Sequence, residues 1–112
     1  MLNQFVKAIA LMIALNLFTH VANAAAPGHY YLNGITEVGS ELLLNPDGHY
    51  QAVLMYGTVD LESSGIWQQS GNLIELQSSE TQQTVFKGLK LLLQQDKLYP
   101  QEAPLSTGYY QK

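Results

Sequence analysis

The chain has 112 residues and contains no cysteine and no arginine. Without Cys there are no disulfides, no thiol chemistry and no zinc site built on Cys pairs, so a small domain must rely on packing and strand pairing. Without Arg the bidentate fork that grips phosphate is missing, and five Lys stand against nine acids. That balance disfavours nucleic acid as a partner, because affinity for a polyanion comes from several basic contacts that release its counterions. A membrane-spanning run is lacking too. The amino-terminal apolar stretch covers only residues 8–18 and contains Asn16, whereas a helix crossing a bilayer needs about 20 residues.

What that stretch does have is the layout of an export signal. Residues 1–7 form a short amino-terminal region carrying Lys7, the apolar run follows, and Ala22-Asn23-Ala24 places small residues at the two positions a signal peptidase reads. The expectation is a signal peptide over residues 1–24, cleaved after Ala24, and a mature chain of residues 25–112 that is periplasmic or secreted. No Cys follows the run to accept a lipid anchor. Residues 25–112 suffice for one small domain and not for two. Lys7 leaves with the signal, so Lys87, Lys90, Lys97 and Lys112 face all nine acids. This acidity favours solubility and suits a cationic partner.

Beyond residue 27 the chain reads as strands and tight turns. Two apolar-rich segments meet at Asn45-Pro46-Asp47-Gly48, with Pro46 set for the φ of a type I turn and Gly48 for the left-handed bulge that follows. This hairpin pairs Leu44 with Tyr50 and Leu42 with Ala52, so Leu42, Leu44, Tyr50, Ala52, Leu54 and Tyr56 share a face. A second hairpin over residues 65–77 turns at Gln69-Ser70-Gly71-Asn72 and sets Trp67 opposite Ile74 and Gly65 near Leu76, which makes Trp67 a core residue. Residues 84–87 and 89–93 read as short strands, residues 94–97 as a turn and residues 101–104 as a loop. Residues 28–35 open the sheet and residues 107–111 close it. Regularly spaced short strands predict an all-β domain with almost no helix, a small antiparallel barrel or curled sandwich.

Several residues resemble those of known families. Tyr31-Leu32-Asn33-Gly34, Gly39-Ser40-Glu41-Leu42, Pro46-Asp47-Gly48, Tyr56-Gly57 with Asp60, Gly65-Ile66-Trp67 and Gly71-Asn72-Leu73-Ile74-Glu75-Leu76 resemble a group of small exported bacterial proteins of unassigned function. The progression is also similar to the lipocalin-like amino-terminal domain of copper-resistance envelope lipoproteins, over roughly residues 28–77. The resemblance implies an antiparallel barrel of the calycin type and no enzymatic activity. The chain lacks that family's lipid-acceptor Cys and the Cys pair before the first hairpin, so metal sensing is not carried over. The matching motifs are mostly turn and core residues and speak to fold.

The chemistry-bearing residues form no catalytic motif. His29 and His49 have neither His-x-His nor His-x-x-x-His spacing and read as solvent-facing residues beside turn glycines, so no metal or other cofactor is expected. Ser40, between Gly39 and Glu41, lacks the strand-turn-helix context of a nucleophile elbow. The acid pairs Glu37 with Glu41 and Asp60 with Glu62 read as solvated turn acids, not as a glycosidase pair. The expected role is therefore non-catalytic binding, of a small molecule or an envelope component, at a barrel mouth framed by loops 36–40 and 58–65. The alternative is an inhibitor of a lysozyme-type enzyme or cationic toxin, acting through acidic loops that carry Glu37, Asp60 and Glu62. Tyr30, Tyr31, Tyr109 and Tyr110 are further candidates, as an aromatic edge formed where the terminal strands pair. A monomer is expected.

Overall fold

The computed structural model describes residues 26–112; the signal peptide expected over residues 1–24 lies outside them. Among the described residues eight strands follow one another: β1 (Gly28–Asn33), β2 (Val38–Leu44), β3 (His49–Tyr56), β4 (Val59–Ser70), β5 (Leu73–Ser78), β6 (Lys90–Gln94), β7 (Lys97–Pro100) and β8 (Tyr109–Gln111), with a 3₁₀ turn at Leu105–Thr107. Each is antiparallel to the next, and β8 pairs with β1 through Leu32 opposite Tyr110, so the sheet is a closed up-and-down barrel. Closure gives every strand a neighbour on each side, which removes most of the edge that seeds aggregation; the first half of β4 pairs with β3 alone.

Local turn chemistry sets the first hairpin. Gly48 sits at φ +93° and its N–H donates to Asn45 O at 3.1 Å, while the Asp47 carboxylate accepts from His49 N at 3.0 Å. Leu44 then stands opposite Tyr50 and Leu42 opposite Ala52, as the sequence predicts. The second hairpin differs. Its turn is only Gly71-Asn72, so Trp67 faces Leu76, Gln69 faces Ile74 and Gly65 faces Ser78. The two-residue slip preserves the faces, because side chains alternate with period two. Trp67 remains inward-facing, half-buried, with its indole N–H donating to Asn45 O at 2.9 Å. At Gly65 the neighbouring strand comes so close that a Cβ would run into the Gln77 carbonyl.

Two further expectations are corrected. Residues 84–87 form a turn, held by Lys87 N to Thr84 O at 3.2 Å and Phe86 N to Thr84 Oγ1 at 3.2 Å. Neither expected mouth loop holds its bounds: residues 58–65 are no loop, because β4 begins at Val59, and the 36–40 loop ends at Glu37, because β2 begins at Val38. The sequence reading also passed over β7 altogether.

The interior is packed from inward-facing alternate residues: Tyr30 on β1, Leu42 and Leu44 on β2, Tyr50 and Ala52 on β3, Ile74 and Leu76 on β5, Leu91 and Leu93 on β6, Leu98 on β7 and Tyr110 on β8. Three of these are tyrosines, and a buried hydroxyl needs a partner. Tyr30 OH donates to Ala26 O at 2.6 Å, Tyr110 OH lies 2.7 Å from Ser40 Oγ, and Tyr50 OH lies 2.9 Å from Ser63 Oγ. Burial pushes the phenols of Tyr30 and Tyr110 up to about 12.

Candidate functional site

Alternating strands place the connections 34–37, 57–58, 79–89 and 101–108 at one end of the barrel and the tight turns 45–48, 71–72 and 95–96 at the other. The tight-turn end is filled by the packed side chains above. The opposite end opens into a hollow of about 400 Å³. Its walls come from Ile35 in the 34–37 connection, Val38 at the start of β2, Leu54 and Tyr56 at the end of β3, and Val59 and Leu61 at the start of β4. Thr84 and Val85 close one side, and Pro104 and Leu105 another.

The hollow exists because β4 outruns its neighbour. From Gly65 onward β4 pairs with β5, whereas Val59, Leu61 and Ser63 pair only with β3. The chain leaves β5 as a strap, residues 79–89, that crosses beside this unpaired half. One end is latched at Ser64, whose O accepts from Ser79 N at 2.8 Å and whose N–H donates to Glu80 Oε1 at 2.6 Å. Ser63 Oγ donates to the other Glu80 oxygen at 3.1 Å. These bonds, led by the Ser64 N–H, hold the Glu80 carboxyl below the usual carboxylate range. The other end is pinned by Phe86 and Leu89, both buried in the core.

The lining is almost wholly carbon. Tyr56 and Val59, directly opposite each other across β3 and β4, are 55% and 53% exposed. Apolar side chains left in water at a concave site are what a binding pocket for an uncharged molecule requires. A second hollow of about 470 Å³ lies on the outer wall, over Gln51, Val53, Glu62, Ser64 and Glu80. It is a polar trough between strand side chains and contains no apolar enclosure.

The site residues expected from sequence divide between these places. Glu37 occupies the 34–37 turn at the mouth, with φ 66°. Asp60 and Glu62 are strand residues on the outer wall of β4, opposite Met55 and Val53. Asp60 stays next to the mouth because it follows Val59; Glu62 lies further down, beside the outer trough. The four tyrosines do not form one edge. Strand alternation turns Tyr30 and Tyr110 into the core, both 0% exposed, and leaves Tyr31 and Tyr109 facing outward on opposite sides of the β1–β8 seam. Tyr31 stacks on His29 at 4.6 Å, and Tyr109 packs against Tyr99 with Lys97 Nζ 5.1 Å from its ring. His29 also meets Glu41 at 2.8 Å, and His49 meets Asp47 at 3.3 Å at the far end. Among the described residues no three His, Asp or Glu side chains gather as metal ligands.

Sequence reasoning named the region of the mouth but not its lining. Ile35, Val38, Val59 and Leu61 were passed over; the available signal was a set of apolar residues flanking turns, past the point where the core hairpin is full. The fold defines an eight-stranded up-and-down antiparallel barrel, open at one end. No family, curated protein or solved structure was found to match this chain. Among the described residues no helix is long and apolar enough to cross a membrane.

Proposed function

We propose that this chain is an exported, non-catalytic binding protein whose barrel mouth takes a small apolar molecule. The observation that carries the reading is the open apolar hollow at Tyr56, Val59 and Leu61. Its volume suits a short aliphatic or single-ring body, near the lower end of the range for ligand pockets of about 300–1,000 Å³. The export signal supplies the compartment, so the natural ligand is a molecule of the cell envelope or of the surrounding medium. A calycin-like barrel, as the resemblance of residues 28–77 implies, can hold one small ligand in its interior, which is in keeping with this reading.

Titration with a neutral naphthylamine dye tests the reading, since its emission rises on entering an apolar site. Saturable binding to the wild-type protein is expected. Val59→Arg places a charge at the mouth on a side chain already 53% exposed, so the fold should be retained and affinity should fall by about tenfold or more. Equal binding by the variant would remove the mouth as the site. The compartment has its own test. Mass spectrometry of periplasmic material should find a chain beginning at Ala25; a full-length, membrane-associated product would contradict export.

A second reading draws on charge placement. Glu41, Asp60 and Glu62 face outward on β2 and β4, while Lys90 and Lys97 lie on β6 and β7. Such a wall would steer a basic protein toward it, the role of a proteinaceous inhibitor. Reversing Glu37, Asp60 and Glu62 to Lys should then abolish capture of a basic lysozyme at low salt, and capture by the triple variant would dismiss this reading.

A further inference from the structure

We infer that the mouth selects amphiphiles by the charge of their head group, taking a cationic amphiphile with its aliphatic chain in the hollow and its ammonium at the rim against the Tyr56 ring, in the field of Glu37 in the 34–37 turn and of Asp60 on the adjoining outer face of β4. This rests on the reading of the mouth as an apolar binding site and deepens it.

The geometry follows from the register at the rim. Tyr56 on β3 stands opposite Val38 of β2 on one side and opposite Val59 of β4 on the other. Glu37 is the residue next to Val38, and Asp60 the residue next to Val59. Paired residues of neighbouring antiparallel strands lie about 4.5–5.5 Å apart, and adjacent Cα atoms about 3.8 Å. Both acid-bearing backbones are thus within about 7 Å of the Tyr56 backbone. Tyr56 lines the hollow and is 55% exposed, so its ring has a wet side on which a cation can sit. A cation over an aromatic face is attracted by the ring quadrupole, and quaternary ammonium groups are recognised in this manner.

The charges around the mouth agree in sign. Neither Glu37 nor Asp60 makes an ion pair with a described residue. Lys87, the one Lys on the strap, donates to Thr81 O at 3.3 Å. Lys90 and Lys97 lie on the β6 and β7 wall, and Lys112 is at the tight-turn end, 5.5 Å from the Tyr30 ring. Among the described residues no Lys, Arg or His lines the hollow. A fatty-acid carboxylate entering tail first would therefore leave its charge among carboxylates with no cation to receive it, whereas an ammonium would be attracted by both.

Three probes of one chain length separate the terms: decyltrimethylammonium, decanol and decanoate, each displacing the naphthylamine dye below its micellar concentration. The expected order of affinity is cation, alcohol, anion, with the cation at least about tenfold tighter than the anion in low salt. The gap should narrow in 1 M salt, where the screening length falls to about 3 Å. Glu37→Gln combined with Asp60→Asn should bring the ratio of cation to anion affinity to within about twofold. Tyr56→Leu, which keeps the lining apolar, should lower that ratio by a smaller factor. Decanoate binding as tightly as the cation, or a preference that survives the double variant, overturns the inference while leaving the apolar mouth standing. Failure of decanol as well as both ions overturns the apolar-ligand reading and the inference with it.

Discussion

The hydrogen-bond chain through the barrel centre makes a quantitative prediction. Ser40 Oγ donates to Val53 O at 2.6 Å and lies 2.7 Å from Tyr110 OH. A serine hydroxyl has one proton, so its use toward Val53 makes Tyr110 the donor to Ser40. Ser40→Ala then strands the Tyr110 hydroxyl inside a core where that residue is 0% exposed. An orphaned buried donor costs about 1–3 kcal/mol. Tyr110→Phe removes the hydroxyl and leaves the Ser40 bond to Val53 intact, for a cost of about 0.5–1.5 kcal/mol. In the double variant no hydroxyl is stranded. Adding Tyr110→Phe to Ser40→Ala should therefore be neutral or restore stability, giving a coupling of about 1–2 kcal/mol. Urea unfolding followed by Trp67 fluorescence measures all four proteins, and unchanged m-values would show that the denatured state is not the cause. Costs that simply add to within about 0.5 kcal/mol would refute the donor order and the isolation of the Tyr110 hydroxyl. The same burial has an alkaline signature. The Tyr110 phenol is raised from 10.0 to about 12, so the neutral form is favoured by folding. Its contribution is full below pH 10 and is lost as pH rises through about 12.

The remaining predictions concern the turn, the indole and the strap. Gly48→Val meets open space, with nothing within 4 Å of the added Cβ, but its φ of +93° suits no β-branched residue; a loss of about 1–3 kcal/mol in urea unfolding is expected, and wild-type stability would mean a different turn geometry. Trp67→Ala should cost about 2–4 kcal/mol, below the full range for a buried ring because the indole is half-exposed, and a loss under about 1 kcal/mol would mark Trp67 as a surface residue. The Glu80 carboxyl is depressed by its bond from Ser64 N–H, so its contribution is present above the unfolded value of 4.5 and is lost as pH falls below it. Hydrogen exchange at the Ser64 amide should accelerate only in that acid range, and Glu80→Gln should flatten the profile; identical profiles for the two proteins would show that Glu80 is not the latch.

How far the sequence alone reached is clearest at particular elements. The hairpin at Pro46-Asp47-Gly48 and its register were legible because a local signal dictates them: a residue with fixed φ, one that tolerates positive φ, and period-two apolar arms. The all-β class was legible for the same reason, repeated along the chain. Trp67 kept its face although its partner was misassigned, since a slip of two residues is invisible to the alternation. What the sequence could not settle was phase and closure. In Tyr30-Tyr31 and Tyr109-Tyr110 both neighbours are equally fit for either face, and only the pairing of Leu32 with Tyr110 across the seam decides which ring is buried. That pairing joins segments far apart in the chain, and no nearest-neighbour preference encodes it. The mouth has the same origin. Val38, Tyr56 and Val59 look like ordinary strand residues, and they border a hollow because β4 is longer than β5 and the strap between β5 and β6 is latched at Glu80. Local chemistry thus determined the turns, the strands and the acidity of this protein, while the long-range closure of the barrel decided what is core, what is rim and where a ligand can enter.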